Sequence, residues 1–210
     1  MARIAGRTAE DTRRAALAAA TVVFASQGYD RASLHRIGRE AGLSAAALSY
    51  HFGDKAGLYA AVIDGLYAEL PALTQALAGR RTLPEVVATL WDFADARREA
   101  ARLVLRQIVE AGGLGEAFRD RVGPTTDGVA GWFASAFGTS PAAARRAVVA
   151  LTHLIIRFAN QPWQDNALAL GTEGPQATRA AILETLIAVA GALMPTADAR
   201  DAADAQTHTP

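Results

Sequence analysis

Between Ser33 and Phe52 the chain reads SLHRIGREAGLSAAALSYHF, a run that mixes hydrogen-bond donors with very small side chains. Ser33 and Ser44 each stand where a hydroxyl would cap a short helix, and a capping oxygen keeps its proton for an outside acceptor such as a phosphate. Lys55 follows the turn Gly53-Asp54 and opens a longer helix, where an ammonium and a helix N-terminus both suit an anion. Ala45 and Ala46 offer only apolar contact, of the kind a thymine methyl accepts. The chemistry available here is recognition of a polyanion.

Such residues act only if something rigid aims them. The spacing predicts a first helix capped by Thr8, with Asp11 completing a capping box, an apolar face of Leu17, Ala20 and Phe24, and a stop at Gly28. Two short helices follow, Leu34–Ala41 and one from Ser44 to about His51, separated by Gly42-Leu43-Ser44. That is helix-turn-helix spacing. Ile37, Ala41, Leu43 and Leu48 would face a small core shared with the first helix. The first turn of the third helix would then present Ser44, Ala45 and Ala46 outward, and in this motif that end enters the DNA major groove.

At this point the sequence resembles the TetR-type transcriptional regulators. The resemblance is carried by Leu17-x-x-Ala20-x-x-x-Phe24-x-x-x-Gly28-Tyr29, by Ile37 and Ala41-Gly42-Leu43-Ser44, and by Leu48-x-Tyr50-His51-Phe52-x-x-Lys55-x-x-Leu58. It implies a homodimer with an N-terminal DNA-binding domain and a larger C-terminal domain for an inducing ligand and dimerisation. It also implies that Tyr50, His51 and Lys55 meet phosphate oxygens and that His35 stands where a base is sometimes read. Arg3 and Arg7 would lie in an arm that reaches the DNA backbone. Two positions depart from the pattern. Ser49 replaces a frequent aromatic residue, and Gly38 stands where Ala is common, which on helix propensity loosens the second helix by up to about 1 kcal/mol. With Ala45 and Ala46 at the reading end, direct base readout is thin, and DNA shape is expected to carry part of the specificity.

Composition limits the alternatives. The 210 residues hold 21 basic and 21 acidic side chains and no cysteine, so disulfides and thiolate chemistry are excluded and any basic surface must be local. Residues 1–58 carry eight Lys/Arg against five Asp/Glu, and the remainder thirteen against sixteen. Alanine accounts for 50 residues, which favours helix. The expected fold is all-α with about nine helices read at period 3.6. A DNA-binding domain spans 1–58, a ligand-binding and dimerisation domain 59–195, and a polar tail 196–210 is expected to be disordered. Pro71 should kink or break the helix that starts at Lys55, and Pro84 suits a first helical position. Breaks are expected at Gly112-Gly113, Gly123-Pro124 and Gln161–Pro175.

In the C-terminal half, His153, Arg157 and Asn160 share one face of an otherwise apolar helix. They read either as a polar strip lining a ligand pocket walled by Trp91, Phe93, Trp132, Phe133 and Trp163, or as a satisfied stripe at a helix or subunit interface. Ile182, Leu183, Leu186, Ile187 and Val189 are candidates for a dimer seam. Arg97, Arg98, Arg102 and Arg106 form a basic stripe, with Arg106 and Glu110 as an i,i+4 pair.

The main rival is an enzyme, or a helical small-molecule-binding protein without DNA binding. Phosphate-loop, dinucleotide, nucleophile-elbow and zinc-protease motifs are all missing from the sequence. No cofactor and no metal are expected. Arg13-Arg14 before an Ala-rich stretch has the outline of an export signal, but Glu10 and Asp11 precede it and the stretch keeps helical periodicity. No run of about 18 apolar residues is read, so a cytoplasmic protein without a membrane partner is expected. The expected partners are double-stranded operator DNA, an unidentified small-molecule inducer and a second copy of the chain.

Overall fold

The computed structural model describes residues 8–110 and 116–195. Within them every regular element is an α-helix: α1 (Ala9–Arg31), α2 (Leu34–Ala41), α3 (Ala45–Phe52), α4 (Lys55–Ala68), α5 (Leu70–Leu77), α6 (Leu83–Asp95), α7 (Arg98–Glu110), α8 (Glu116–Phe137), α9 (Pro141–Ala159), α10 (Trp163–Leu170) and α11 (Gly174–Leu193). Arg3, Arg7, Gly112-Gly113 and the tail 196–210 lie outside the described residues, as does the side chain of Glu110.

Capping accounts for most of the boundaries. Thr8 and Asp11 form the expected reciprocal box at the start of α1. Gly28 interrupts that helix with φ 80° and ψ 166°, and one further turn reaches Arg31. Pro71 separates α4 from α5: it lacks an N–H, and the first turn of α5 asks for none. At α6, Thr82 and Glu85 form a second capping box, with Pro84 in the first turn. The backbone N–H groups of Arg81 and Thr82, then the Thr82 hydroxyl, hold the Glu85 carboxyl below the usual carboxylate range.

Of the expected breaks, one holds a short helix and one is absent. Gln161–Pro175 contains α10, started by Pro162 and closed by Gly171 in the left-handed region at φ 65°; the flanking turn residues hid the short helix between them. Gly123-Pro124 does not interrupt α8, which runs through the proline. Loss of one backbone bond there is outweighed by the packing of α8 on α9. These changes, with α4 and α5 separate, give eleven helices in the described residues.

The chain forms two compact units. The first runs to Pro71 and takes in α7 from Glu99; the second holds Ala72–Arg98 and α8–α11. The boundary expected at residue 58 therefore falls inside α4. Leu58, Val62 and Ile63 of that helix, with Leu103 of α7, are buried in the first unit's core, and a domain ending at 58 would leave that core open. In the second unit α6, α8, α9 and α11 bury Val86, Val87, Trp91, Phe133, Leu151 and Leu186. By length and composition α11 is apolar enough to cross a membrane, a candidate the sequence reading missed. Its Ile182, Leu186 and Ala190 are spent on the unit's own core.

Candidate nucleic-acid interface

The first unit is built around Phe24, Ile37, Leu48 and Leu58, all fully buried, one from each of the first four helices. Ile37 and Leu48 join α2 and α3 to α1, with Ala41 buried and Leu43 partly buried beside them. Gly42 makes the turn at φ 66° and ψ 36°, a left-handed conformation that costs a residue without Cβ little. Ser33 Oγ accepts from the Arg36 N–H at 3.3 Å and Ser44 Oγ from the Ala47 N–H at 3.1 Å. Capping uses only the oxygen's acceptor role, which leaves each hydroxyl proton for a further acceptor.

Gly38 has a different reason from the one helix propensity suggested. A Cβ there would lie 2.5 Å from the Leu43 carbonyl oxygen, so the close crossing of α2 by the turn requires glycine. Rather than loosening the motif, Gly38 lets it close.

Over this core the expected contact residues are turned outward. Ser33, His35, Ser44, Ala46 and Ser49 are exposed, Ala45 and His51 are half-buried, and Tyr50 is 86% exposed. A tyrosine left this bare on a helix has almost no packing to explain it. Its ring meets only the edge of His51, at 5.3 Å between centroids, and His51 in turn lies 6.2 Å from Phe52. Phe52 packs partly on the core, and the Arg13 guanidinium sits 4.8 Å above its ring. The contact has no sign in the sequence, because nothing at the position of Arg13 announces a partner some forty residues away in the chain.

Lys55 behaves otherwise than expected. Its ammonium donates to the Tyr29 carbonyl at 2.9 Å and the Asp30 carbonyl at 3.4 Å, and lies 4.3 Å from the centre of the Tyr29 ring. Two of its three donors are thus used to tie α4 to the end of α1, leaving one for a phosphate. The N-terminus of α4 is not an open anion site either. The Asp54 carboxylate caps it, accepting from the Gly57 N–H at 2.8 Å.

Of the residues expected to form a ligand pocket, Trp91, Trp132 and Phe133 come together in the second unit's apolar core. Trp91 and Phe133 are core side chains, Trp132 is half-buried against Phe133 and Phe137, Phe93 is half-buried, and Trp163 is exposed. His153 and Arg157 are exposed on α9, with His153 Nδ1 at 2.8 Å from the Val149 carbonyl oxygen. Asn160 is half-buried and donates to the Ile156 carbonyl at 2.8 Å. A different concavity, of about 420 Å³, is lined by Gly79, Arg80, Arg81, Trp132, Ser135 and Ala136. In the basic stripe, Arg98 pairs with Asp95 at 2.7 Å and Arg102 with Glu99 at 3.3 Å. Among the described residues no group of three His, Asp or Glu side chains is placed to hold a metal.

Residues 16–62, which contain α2, α3 and the buried side chains that join them to α1 and α4, match the model of bacterial regulatory proteins of the tetR family. The chain's N-terminal domain is that of the TetR family. A solved transcriptional regulator of Streptomyces coelicolor is 25% identical, with a TM-score of 0.65 over 88% of this chain and 98% of that one. A TetR-like transcriptional regulator of Rhodococcus sp. RHA1 shares the fold at 20% identity, TM-score 0.63, over 88% and 96% of the two chains. The multidrug binding protein EbrR, solved with malachite green, does so at 17% identity, TM-score 0.62, over 88% and 98%. No curated protein sequence matches significantly. Ser49 stands in the exposed row on α2 and α3 as an exposed hydroxyl.

Proposed function

We propose that the protein is a cytoplasmic, homodimeric repressor that holds operator DNA until a small molecule occupies its C-terminal unit. Each protomer inserts α3 into the major groove, at half-sites about 34 Å or a multiple apart. Ser33, Ser44, Tyr50 and His51 hold phosphates on either side, Ala45 and Ala46 lie against base edges, and His35 reaches toward a base. The bare Tyr50 at the end of α3, opposite the hydroxyl of Ser44 at its start, is the observation that carries this reading. A ligand that binds better to a dimer with the wrong separation of its two α3 helices releases the DNA through that difference in affinity. The small-molecule complex of EbrR supports a ligand-binding role for the second unit.

Selection from a random duplex pool, followed by anisotropy on the recovered sequence, tests the proposal. Two protomers should bind one two-fold symmetric site, with affinity falling steeply as salt rises. Recovery of no preferred sequence, or binding by a single protomer, would favour a helical binding protein without an operator.

A further inference from the structure

The concavity beside α6 has a composition that names its ligand. Its floor is the corner between α5 and α6, where Gly79 adopts φ 90° and the Arg80 N–H donates to the Leu77 carbonyl at 3.0 Å. The N–H groups of Arg81 and Thr82 both donate to Glu85 Oε2 at 3.0 Å, so the backbone carrying the two arginines is fixed before anything binds. The opposite wall is α8, with Trp132, Ser135 and Ala136. Trp132 is itself held edge-on by Phe133 at 5.4 Å and Phe137 at 6.2 Å. Three other arginines of the second unit are matched, Arg98 by Asp95, Arg145 by Asp127 and Arg179 by Asp92, while Arg146 and Arg157 are exposed and do not line this concavity. The guanidinium groups of Arg80 and Arg81 make no hydrogen bond or ion pair with any described residue. The nearby Glu85 carboxylate is engaged first by backbone donors and feels the Arg80 charge only as the weakest of the influences on it, without a direct ion pair.

We infer that this concavity binds a small organic acid, a carboxylate carried on a flat apolar ring, and this rests on the ligand-release reading above. Guanidinium forks match a carboxylate in two parallel hydrogen bonds, and the indole face takes the ring. Ser135 supplies one further donor or acceptor, and Gly79 and Ala136 keep the remaining wall low. The volume of about 420 Å³ lies within the range of small-molecule sites, roughly 300–1,000 Å³. Neither a bare inorganic anion nor a neutral aromatic compound would use both halves of the wall.

Calorimetry with 2-naphthoate, and with 2-naphthalenemethanol as its uncharged counterpart, tests the site without DNA. Saturable binding of the acid is expected, weaker by about tenfold or more both for the alcohol and in the R80Q/R81Q double variant. Both arginines are exposed, so the variant should melt like the parent, which a thermal scan checks. No saturable binding of the acid, or binding undiminished in the variant, overturns the site. A second arm adds 2-naphthoate to the DNA complex. Release from DNA in the parent and not in the variant supports both readings, whereas binding without release sustains the site and overturns ligand-released repression.

Discussion

The ammonium of Lys55 faces two demands, and distances decide between them. Its two carbonyl contacts and the Tyr29 ring lie within the protein, so its first work is to fix the corner where α1 meets α4. Lys55→Ala should therefore lower stability to urea by about 1–3 kcal/mol, from two net hydrogen bonds and a cation–π contact. The salt dependence of DNA binding should become shallower by less than one counterion per protomer. Unchanged stability with a full unit lost from the slope would make it a phosphate contact alone. Gly38 offers a test in which two effects have opposite signs. Helix propensity favours Gly38→Ala by up to about 1 kcal/mol. The Leu43 carbonyl at 2.5 Å from the added methyl opposes it, and backbone cannot swing aside as a side chain would. The midpoint of thermal unfolding should fall. A rise would mean that the turn has slack to give.

At the scale of the helix, what could be read from the sequence was whatever is local. The caps at Thr8, Ser33 and Ser44, the first-turn proline Pro84, the glycine turn at Gly42 and the break at Pro71 follow from side chains within four residues of the boundary, and they are where the structure has them. The misses involve distance. The continuation of α8 through Pro124 depends on its packing partner, α10 is too short to announce itself between turn residues, and Leu103 reaches the first unit's core from far along the chain. The same division holds in the binding surface. Its exposed row was legible from the helix-turn-helix pattern, but the turn of Lys55 inward and the stacking of Arg13 on Phe52 are tertiary facts.

The capping box of α6 gives a pH-dependent prediction. The Glu85 carboxyl is held below its ordinary value, chiefly by the Arg81 and Thr82 N–H groups, so its charged form favours the folded state. That contribution is complete above the ordinary carboxylate value of 4.5 and disappears as pH falls through the lower folded value. The parent should melt above Glu85→Gln at pH 7, and the gap should close as pH is taken below 4.5. A gap that stays constant down to pH 3 would assign the difference to the cap's shape and not to its charge.

For the whole molecule, the two units use their apolar residues differently. The first buries its apolar residues to hold a row of polar ones outward, and the second buries Ile182 and Leu186 of α11, which are thereby removed from the expected dimer seam. Leu183, Ile187 and Val189, half-buried on the same helix, remain available to a second copy. The central claim is that the outward row on α3 is where DNA is held, and Tyr50 tests it most directly because its side chain supports little else. The measurement is DNA affinity of the full chain and of Tyr50→Ala on one selected duplex, with thermal unfolding of both proteins recorded alongside. The account predicts affinity lower by about tenfold or more, with stability unchanged within about 0.5 kcal/mol. Equal affinity for the two proteins on that duplex would contradict it.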